Sequence, residues 1–544
     1  EDRYNRKESK CIVKAQAFKV IGNTEFQAKN YVESIQSYTH CAMHAPADSN
    51  ELPIAIANRS ASLFYLNKYH DCIKDIDLAI KFNYPRKLHY KLYLRAVQCY
   101  SKLGKQDKKR ISETTFPVQC VQTDIQSVTS IDRKYNEELG RHVVANKLIK
   151  RGDILFLERP ISFVLLNQDT LNYLCQHCNR SNIDTPIPCT VCLNTLYCDV
   201  KCSNEAWSLY HRWECPGSQI GIWKEIGIGH LALKVLLTCT TTPDKIKFNE
   251  MQNLVTNFDK LSIEDLAVYG TVCTALMLTI YLFEYTDYFK VNNLNNCFID
   301  KFFDKTLNSK FSNVTKIDEQ LYVSSLLLRH ILQLICNGHA ITNSNVLPSK
   351  RDSSTSQQDI VATGIYPSAS MMNHSCDPNI INIFVDQYLI VKASKDIAIN
   401  EEIFNCYGPH YRHMSREQRQ KMLKSQYCFI CTCKPCTHPE LQYFERFHAM
   451  KCLKCNGALC QIQDSLQCLD CDDRPKFHND NKMKKAEEIF QAAQASIDSG
   501  KMKEALNKLK RCLHIRRNIL YKYNESITFN LNLMGEIYVK IGVY

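Results

Sequence analysis

Between residues 175 and 215 the chain reads Cys175-x2-Cys178-x10-Cys189-x2-Cys192-x5-Cys198-x3-Cys202-x8-His211-x3-Cys215. Seven thiols and one imidazole supply the donors of two tetrahedral structural sites, and zinc is the ion such a donor set takes. So short a segment has little apolar core, so bound metal has to supply its folding energy. A second pattern, Cys452-x2-Cys455-x12-Cys468-x2-Cys471, fits a four-cysteine zinc ribbon; the competing reading is free thiols in a loop. Glu1–Lys10 is charged and shows no secretory signal, and cysteine pairs without one favour metal over disulfides. The chain opens on Glu1 rather than Met and stops inside a helical pattern at Tyr544, as a trimmed chain would.

Both ends carry helical periodicity. Residues 11–104 contain Gly22-Asn23-x2-Phe26, Tyr31 and Tyr38, then Asn58-Arg59-Ser60-Ala61, Tyr65, Tyr69 and Ala79, then Tyr93-x-Arg95-Ala96, Tyr100 and Leu103-Gly104. The offset is close to the roughly 34-residue tetratricopeptide (TPR) period, and the stretch resembles three TPR repeats. Lys484–Tyr544 looks like further hairpins of that type. TPR domains that bind the acidic C-terminal tails of heat-shock chaperones use a two-carboxylate clamp. The positions that match it are Lys19, Asn23, Asn58, Lys91 and Arg95. The two pairs spaced four apart each share a helix face. The plainer reading makes the asparagines part of the repeat signature and the cations solvated surface.

Past the middle stand three words in order: GIYPSASMMNHSCDPN (Gly364–Asn379), EEIFNCYG (Glu401–Gly408) and QYCFICTCKPC (Gln426–Cys436). They resemble the closing segments of a SET domain, the fold of protein lysine methyltransferases. The eight-ligand segment resembles a MYND finger, whose ligands interleave. That implies one zinc at Cys175, Cys178, Cys198 and Cys202 and another at Cys189, Cys192, His211 and Cys215. Cys431, Cys433 and Cys436 supply three ligands of a post-SET zinc, with Cys376 as the fourth by resemblance and Cys406 and Cys428 as rivals. Fifteen thiolates and four Zn²⁺ would cut the formal charge of +12 to about +5, so charge alone indicates no nucleic acid. Leu139–Pro160 reads as a hairpin about a Lys-Arg-Gly-Asp turn and resembles the first SET strands. The family often has a second glycine where His142 stands and a basic residue near Leu139. That departure leaves Gly140 and Arg141 as the donor contacts there. Cys336-Asn337-Gly338-His339-Ala340-Ile341 resembles a further SET strand.

Together these features resemble the SET-and-MYND (SMYD) lysine methyltransferases. The fold class implied is α+β multidomain: a split, β-rich SET domain with an inserted MYND zinc finger and a post-SET zinc site, flanked by all-α TPR-like repeats. The segments are 1–110 (repeats), 111–130 (linker), 131–174 (SET, first part), 175–215 (finger), 216–330 (helical insert), 331–410 (SET core), 411–440 (post-SET), 441–480 (zinc ribbon) and 481–544 (C-terminal repeats). The resemblance implies S-adenosylmethionine as cofactor, three zinc ions and Tyr407 as the catalytic tyrosine; the ribbon spacing of Cys452, Cys455, Cys468 and Cys471 adds a fourth zinc. It implies donor contacts at Gly140, Arg141, Asn337, Ser370, Met372, Asn373, His374, Tyr407 and Phe429. Tyr427 resembles a lysine-channel wall, and His339 faces the channel or is a satisfied core histidine. Implied partners are a protein bearing the target lysine, a chaperone tail on the clamp and a proline-containing peptide on the finger, in cytoplasm and nucleus. A different class stays open: a chaperone-linked scaffold or transcriptional corepressor with a weak SET domain. The uncharged run between Asp265 and Glu284 touches the lower limit for a membrane span, but its Thr, Tyr, Gly and Cys content reads as a buried helix. Asn343–Asp359, polar and serine-rich, reads as a surface loop.

Overall fold

The computed structural model describes residues 10–106, 130–166, 174–181, 185–241, 245–284, 316–342, 360–438, 443–462, 465–471, 473–475 and 480–541. Most of the 111–130 linker, the Asn343–Asp359 loop and residues 285–315 of the helical insert lie outside them. Two compact units emerge. One spans Glu1–Asp352, Gln357–Met372 and Ile380–Glu401; the other spans Ser353–Ser356, Asn373–Asn379 and Glu402–Tyr544.

The first unit begins with five antiparallel helices, α1 (Ile12–Gln27), α2 (Tyr31–His44), α3 (Glu51–Tyr65), α4 (Tyr69–Lys81) and α5 (His89–Gln106). Three of them end alike. Lys29, Asn67 and Asn83 take positive φ, and the next residue's N–H returns to a carbonyl five back. This satisfies the last-turn carbonyls and reverses the chain in two residues. A Cβ on Gly22 would sit 2.8 Å from the Tyr38 ring, so glycine is what lets α1 and α2 close. Arg59 and Asp75, both fully buried, pair through two 2.8 Å contacts. Arg59 also donates to Thr39 Oγ1 and, 127 residues away, to the Pro186 carbonyl, each at 3.0 Å. Ile187 lies in the same apolar cluster as these helices, so the cysteine-rich segment is seated on the array.

The β-rich part holds β1 (Ile131–Asn136), β2 (Gly140–Ala145), β3 (Ile154–Glu158) and β4 (Ser162–Leu165), then β5 (Ile187–Pro188) and β6 (Leu196–Tyr197) of the cysteine-rich segment. It continues with β7 (Gly338–Thr342), β8 (Ile360–Ile365), β9 (Ile380–Val385) and β10 (Tyr388–Ala393). β1 pairs with β2, β3-β10-β9 form one sheet and β4-β8-β7 another. The expected 139–160 hairpin is therefore corrected. β2 folds back on β1 across a tight turn with Gly140 at φ +65°, and β3 leaves at Gly152 (φ +99°) to pair with β10. Only glycine tolerates both turns cheaply.

Helices Ile228–Thr241 and Lys316–Asn337 build the apolar centre of this unit, with Leu231, Leu236, Val323, Leu327 and Ile331 inside it. Asn337 thus ends a helix rather than opening a strand. Helix Ile263–Glu284 buries Cys273, Leu276 and Ile280 but exposes Ile263, Val268 and Leu278. Only 28% of its apolar window is buried, so the buried-helix expectation holds for one face. It is the single described helix long and apolar enough to cross a membrane by length and composition.

In the second unit, helix Arg416–Tyr427 starts in a capping box of Ser415 and Gln418. The sheet β11 (Met450–Lys451), β12 (Ala458–Ile462) and β13 (Ser465–Cys468) follows. Helices Asp480–Asp498, Met502–Ile519 and Glu525–Lys540 then close on Phe490, Leu509, Leu513 and Ile537. Gly500, at φ +74°, makes the same reversal as Asn67.

Candidate active site

Segments 373–379 and 402–408 run side by side in the second unit. Ser375 N–H donates to the Asn405 carbonyl and Asn405 N–H to that of Asn373, both at 2.8 Å, in a parallel bridge. Asn379 clamps the same pair of segments: its amide donates to the Glu402 carbonyl, and its oxygen accepts from Phe404 N–H. Tyr407 follows two residues past the bridge. Its N–H donates to His374 Nδ1 at 3.0 Å, and its carbonyl accepts from the Tyr427 hydroxyl at 3.2 Å. The Tyr427 and His374 rings lie 5.0 and 5.2 Å from that of Tyr407, with Phe429 edge-on at 6.5 Å. Three aromatic side chains thus wall one phenol; Tyr427 and Phe429 are half-buried, like Tyr407 itself, and His374 is buried. Burial drives the His374 pKa down to about 4, so the ring is neutral at physiological pH. Asn373 Nδ2 donates to Glu402 Oε1 at 2.9 Å.

Behind Tyr407 lie Cys376, Cys431, Cys433 and Cys436, their sulfurs all within 4.8 Å of one another. Cys376 Sγ is 3.9 Å from Cys431 and 3.6 Å from Cys436. A tetrahedral zinc with bonds of about 2.3 Å sets its sulfurs about 3.8 Å apart, so the donor set fits that ion. Cys406 and Cys428 stay outside the group. The Cys406 thiol is pushed up to about 11 by burial. Arg419, absent from the sequence reading, is buried beside the group and donates to the Pro435 and Met414 carbonyls, with Nη2 3.5 Å from Cys436 Sγ. A four-thiolate zinc site carries net negative charge, and Arg419 opposes it.

The remaining donors fall into three similar groups: Cys175, Cys178, Cys198 and Cys202; Cys189, Cys192, His211 and Cys215; and Cys452, Cys455, Cys468 and Cys471. Neighbouring donors stand 3.5 to 3.9 Å apart. No described cysteine is joined in a disulfide.

In the first unit, Gly140 has nothing within 4 Å of where a Cβ would sit. Arg141 is half-buried and has no ion-pair partner among the described residues. The His142 ring is buried, with Nδ1 3.0 Å from the Gly140 carbonyl. Asn337 spends its amide on the Val255 and Gln333 carbonyls. Ser370 donates to the Tyr366 carbonyl, and Met372 is fully buried. His339 sits edge-on to Tyr366, with Nδ1 near the Asn337 carbonyl, and burial lowers its pKa to about 4. One ring nitrogen is thereby satisfied, and the residue as a whole is half-buried. Glu158, also missed from sequence, accepts from Ser368 and Ala369 N–H at 2.8 and 2.9 Å and fixes the turn that leads into Met372. Burial raises its pKa to about 7.

On the helical array, Asn23 Oδ1 accepts from Asn58 Nδ2 at 3.3 Å and from the Tyr38 hydroxyl at 2.9 Å. Arg95 donates to Ser60 Oγ and the Ala57 carbonyl, and Lys91 is exposed. Lys19 is paired with Glu51 at 2.7 Å, a carboxylate of the chain's own that the spacing argument did not foresee.

A model of the SET domain family matches residues 140–408. The chain is 26% identical to "Protein-lysine N-methyltransferase SMYD4" of Danio rerio, over 96% of this chain and 78% of that protein. It is 25% identical to "Histone-lysine N-methyltransferase SMYD3" of Homo sapiens, over 53% of this chain and 57% of that one. The solved SET domain of LSMT bound to lysine and AdoHcy shares 13% identity at a TM-score of 0.24, over 56% of this chain and 54% of that one. A likeness that low carries no argument.

Proposed function

Because this chain belongs to the SMYD family of protein-lysine methyltransferases, we propose that it transfers a methyl group from S-adenosylmethionine to a protein lysine with Tyr407 as the catalytic tyrosine. The observation that carries the assignment to Tyr407 is its fixed backbone: His374 holds its N–H and Tyr427 its carbonyl. When bound, the donor supplies an electrophilic sulfonium methyl. A lysine amine of ordinary pKa, about 10.4, has to arrive neutral. The aromatic side chains about Tyr407 exclude water, which disfavours the ammonium form. The Tyr407 hydroxyl can orient the amine lone pair without acting as a strong base. For the donor itself, the open space beside Gly140 and the half-buried Arg141, which has no ion-pair partner among the described residues, suit a ligand with an anionic end. Asn337, Ser370, Met372, Asn373, His374 and Phe429 complete the set taken from the family resemblance.

The test uses tritiated S-adenosylmethionine and lysate proteins as acceptors. Tyr407→Phe should cut transfer at least about a hundredfold, the scale of removing one positioned catalytic group, while donor binding measured by calorimetry persists. Full activity in Tyr407→Phe refutes the assignment.

We also propose zinc in all four donor groups, a MYND-type finger at 175–215, TPR-type packing at both ends, and residence in cytoplasm and nucleus. Support for zinc is the donor chemistry and spacing. A proline-containing peptide on the finger is a further proposal, tested by titration. An acidic chaperone-type tail on Lys19, Asn23, Asn58, Lys91 and Arg95 would have to displace Glu51 from Lys19. Glu51→Gln should therefore tighten binding of a peptide ending in Glu-Glu-Val-Asp; weaker or unchanged binding discards the clamp.

A further inference from the structure

We propose that the outer face of α5 is a docking surface for an acidic amphipathic helix of a partner protein. The inference is independent of the reading of Tyr407 and uses no residue of the SET segments.

α3, packed between neighbours, buries ten residues. Among the described side chains of α5 only Leu92 and Cys99 are buried. Arg95 reaches Ser60 of α3, and Cys99 lies 3.4 Å from Cys72 of α4, which fixes the inward side. Turned away from it stand Tyr90, Tyr93, Leu94, Val97 and Tyr100, each 54 to 65% exposed. Their spacing of three and four residues sets them in one stripe about three turns long. At half exposure or more, three tyrosines and two aliphatic side chains offer roughly 500 Å² of apolar surface, the size of patch that commonly marks a contact site. That is short of the ~800 Å² per partner of a standard interface, so the stripe suits one helix laid along it rather than a whole domain or a stable homodimer.

Charge selects the partner. From Leu78 to Gln106 the sequence holds seven Lys and Arg and no Asp or Glu. Lys91, Arg95, Gln98 and Lys102 follow one flank of the stripe, with Lys91 and Lys102 exposed, and Arg86 and Lys87 stand exposed before the first turn. Of the acids on α4, Asp75 is buried on Arg59 and Asp71 pairs with Lys74, which leaves Asp77 exposed. A second copy would bring the same cations against each other. The chain's own continuation past Asp107 is Lys108, Lys109 and Arg110, of the same sign. A helix with apolar residues at every third or fourth position and carboxylates beside them meets both features, its ridge on the stripe and its acids on the lysine flank. Aromatic rings among cations also suit single-stranded nucleic acid, but Leu94 and Val97 at the centre of the stripe give bases nothing to stack on. The tail clamp uses Lys91 and Arg95 of the flank and no residue of the stripe.

The test uses the full-length protein and a fluorescein-labelled peptide of about 18 residues, long enough to span the stripe, with Leu at helical spacing and Glu beside it. Its controls are a twin with Lys for Glu and an order-shuffled peptide of the same composition. By fluorescence anisotropy the acidic helix should bind at least about tenfold more tightly than either, and salt at about 0.5 M should weaken it. Val97→Asp should weaken it at least about tenfold, the scale of losing one central contact, with the melting temperature unchanged because Val97 is 65% exposed. Tyr93→Ser repeats the measurement if that variant does not fold. Equal binding of the three peptides, or full binding in the substituted protein, overturns the docking surface. So does a dimer in sedimentation that Val97→Asp dissolves, since the occupant is then a second copy. A photocrosslink from position 97 into residues 107–129 of the protein alone overturns it in favour of the chain's own linker. A single-stranded oligothymidylate that displaces the peptide and fails to bind Val97→Asp overturns it in favour of nucleic acid.

Discussion

Asp75→Asn should destabilise the N-terminal array far more than its size suggests. Among the described residues Arg59 is, with Arg419, one of the two largest side chains with essentially no exposure, and Asp75 is as buried as Arg59. Both carboxylate oxygens meet the guanidinium at 2.8 Å, and the Thr39 hydroxyl and Pro186 carbonyl accept at 3.0 Å. Asparagine keeps the shape and one oxygen but leaves a cation in the core without a counter-charge. Stranding one partner of a buried pair costs about 3–5 kcal/mol. The three surviving acceptors place Asp75→Asn at the low end, about 3 kcal/mol, a large share of the ~5–15 kcal/mol that holds a domain. Removing both charges with Arg59→Leu and Asp75→Leu strands no ion. It orphans the Pro186 carbonyl, at about 1–3 kcal/mol. Urea unfolding followed by circular dichroism gives both numbers, with equal slopes confirming a common unfolded state. The double variant should be no less stable than the single one. A loss below about 1 kcal/mol in Asp75→Asn would show that water reaches Arg59, and the argument from its burial would fail.

Glu158 has a folded pKa of about 7 against 4.5 unfolded. The native state therefore holds the extra proton between those values, and stability should fall by about 3 kcal/mol as pH rises from 4.5 to 7. Glu158→Gln should remove that slope from urea midpoints taken between pH 5 and 8; an unchanged slope contradicts it. The His448 pKa is raised, chiefly by its hydrogen bond to Glu525, so its contribution is full at low pH and lost as pH climbs through the raised value. Glu525→Gln should flatten that part of the melting profile. Purified protein should carry four zinc ions per chain by elemental analysis, and Cys471→Ser should lower the count by one without loss of methyl transfer. Retention of all four ions in that variant would dissolve the ribbon group.

What the sequence disclosed depended on distance along the chain. Cys175 and Cys178 announce themselves because a metal knuckle needs two thiols within one turn, and the structure gathers them with Cys198 and Cys202. Helix pairing was legible from Gly22 and Tyr38, since close packing leaves small and aromatic residues at helical spacing. Strand partners were less so: β2 had two eligible neighbours, and the turn at Gly140 decided for β1. Glu51 beside Lys19, Arg59 under Pro186 and Glu158 under Ser368 were invisible. Contacts spanning 127 or 210 residues leave no period to read.

Four polar residues, only some of them hidden from the sequence, share one duty. Glu158, Asn379, Arg419 and His374 each bond backbone groups that no strand or helix satisfies. Buried peptide groups must find partners, so irregular active-site loops recruit them from side chains far away in sequence. The apolar cores built on Leu231 or Phe490 do not hold those loops. Substitution of such a polar residue should therefore shift the position of Tyr407 or of the Ser368 turn before it lowers the melting temperature. Substitution at Leu231 should do the reverse. A variant of Asn379 that melts early yet retains full methyl transfer would break that ordering.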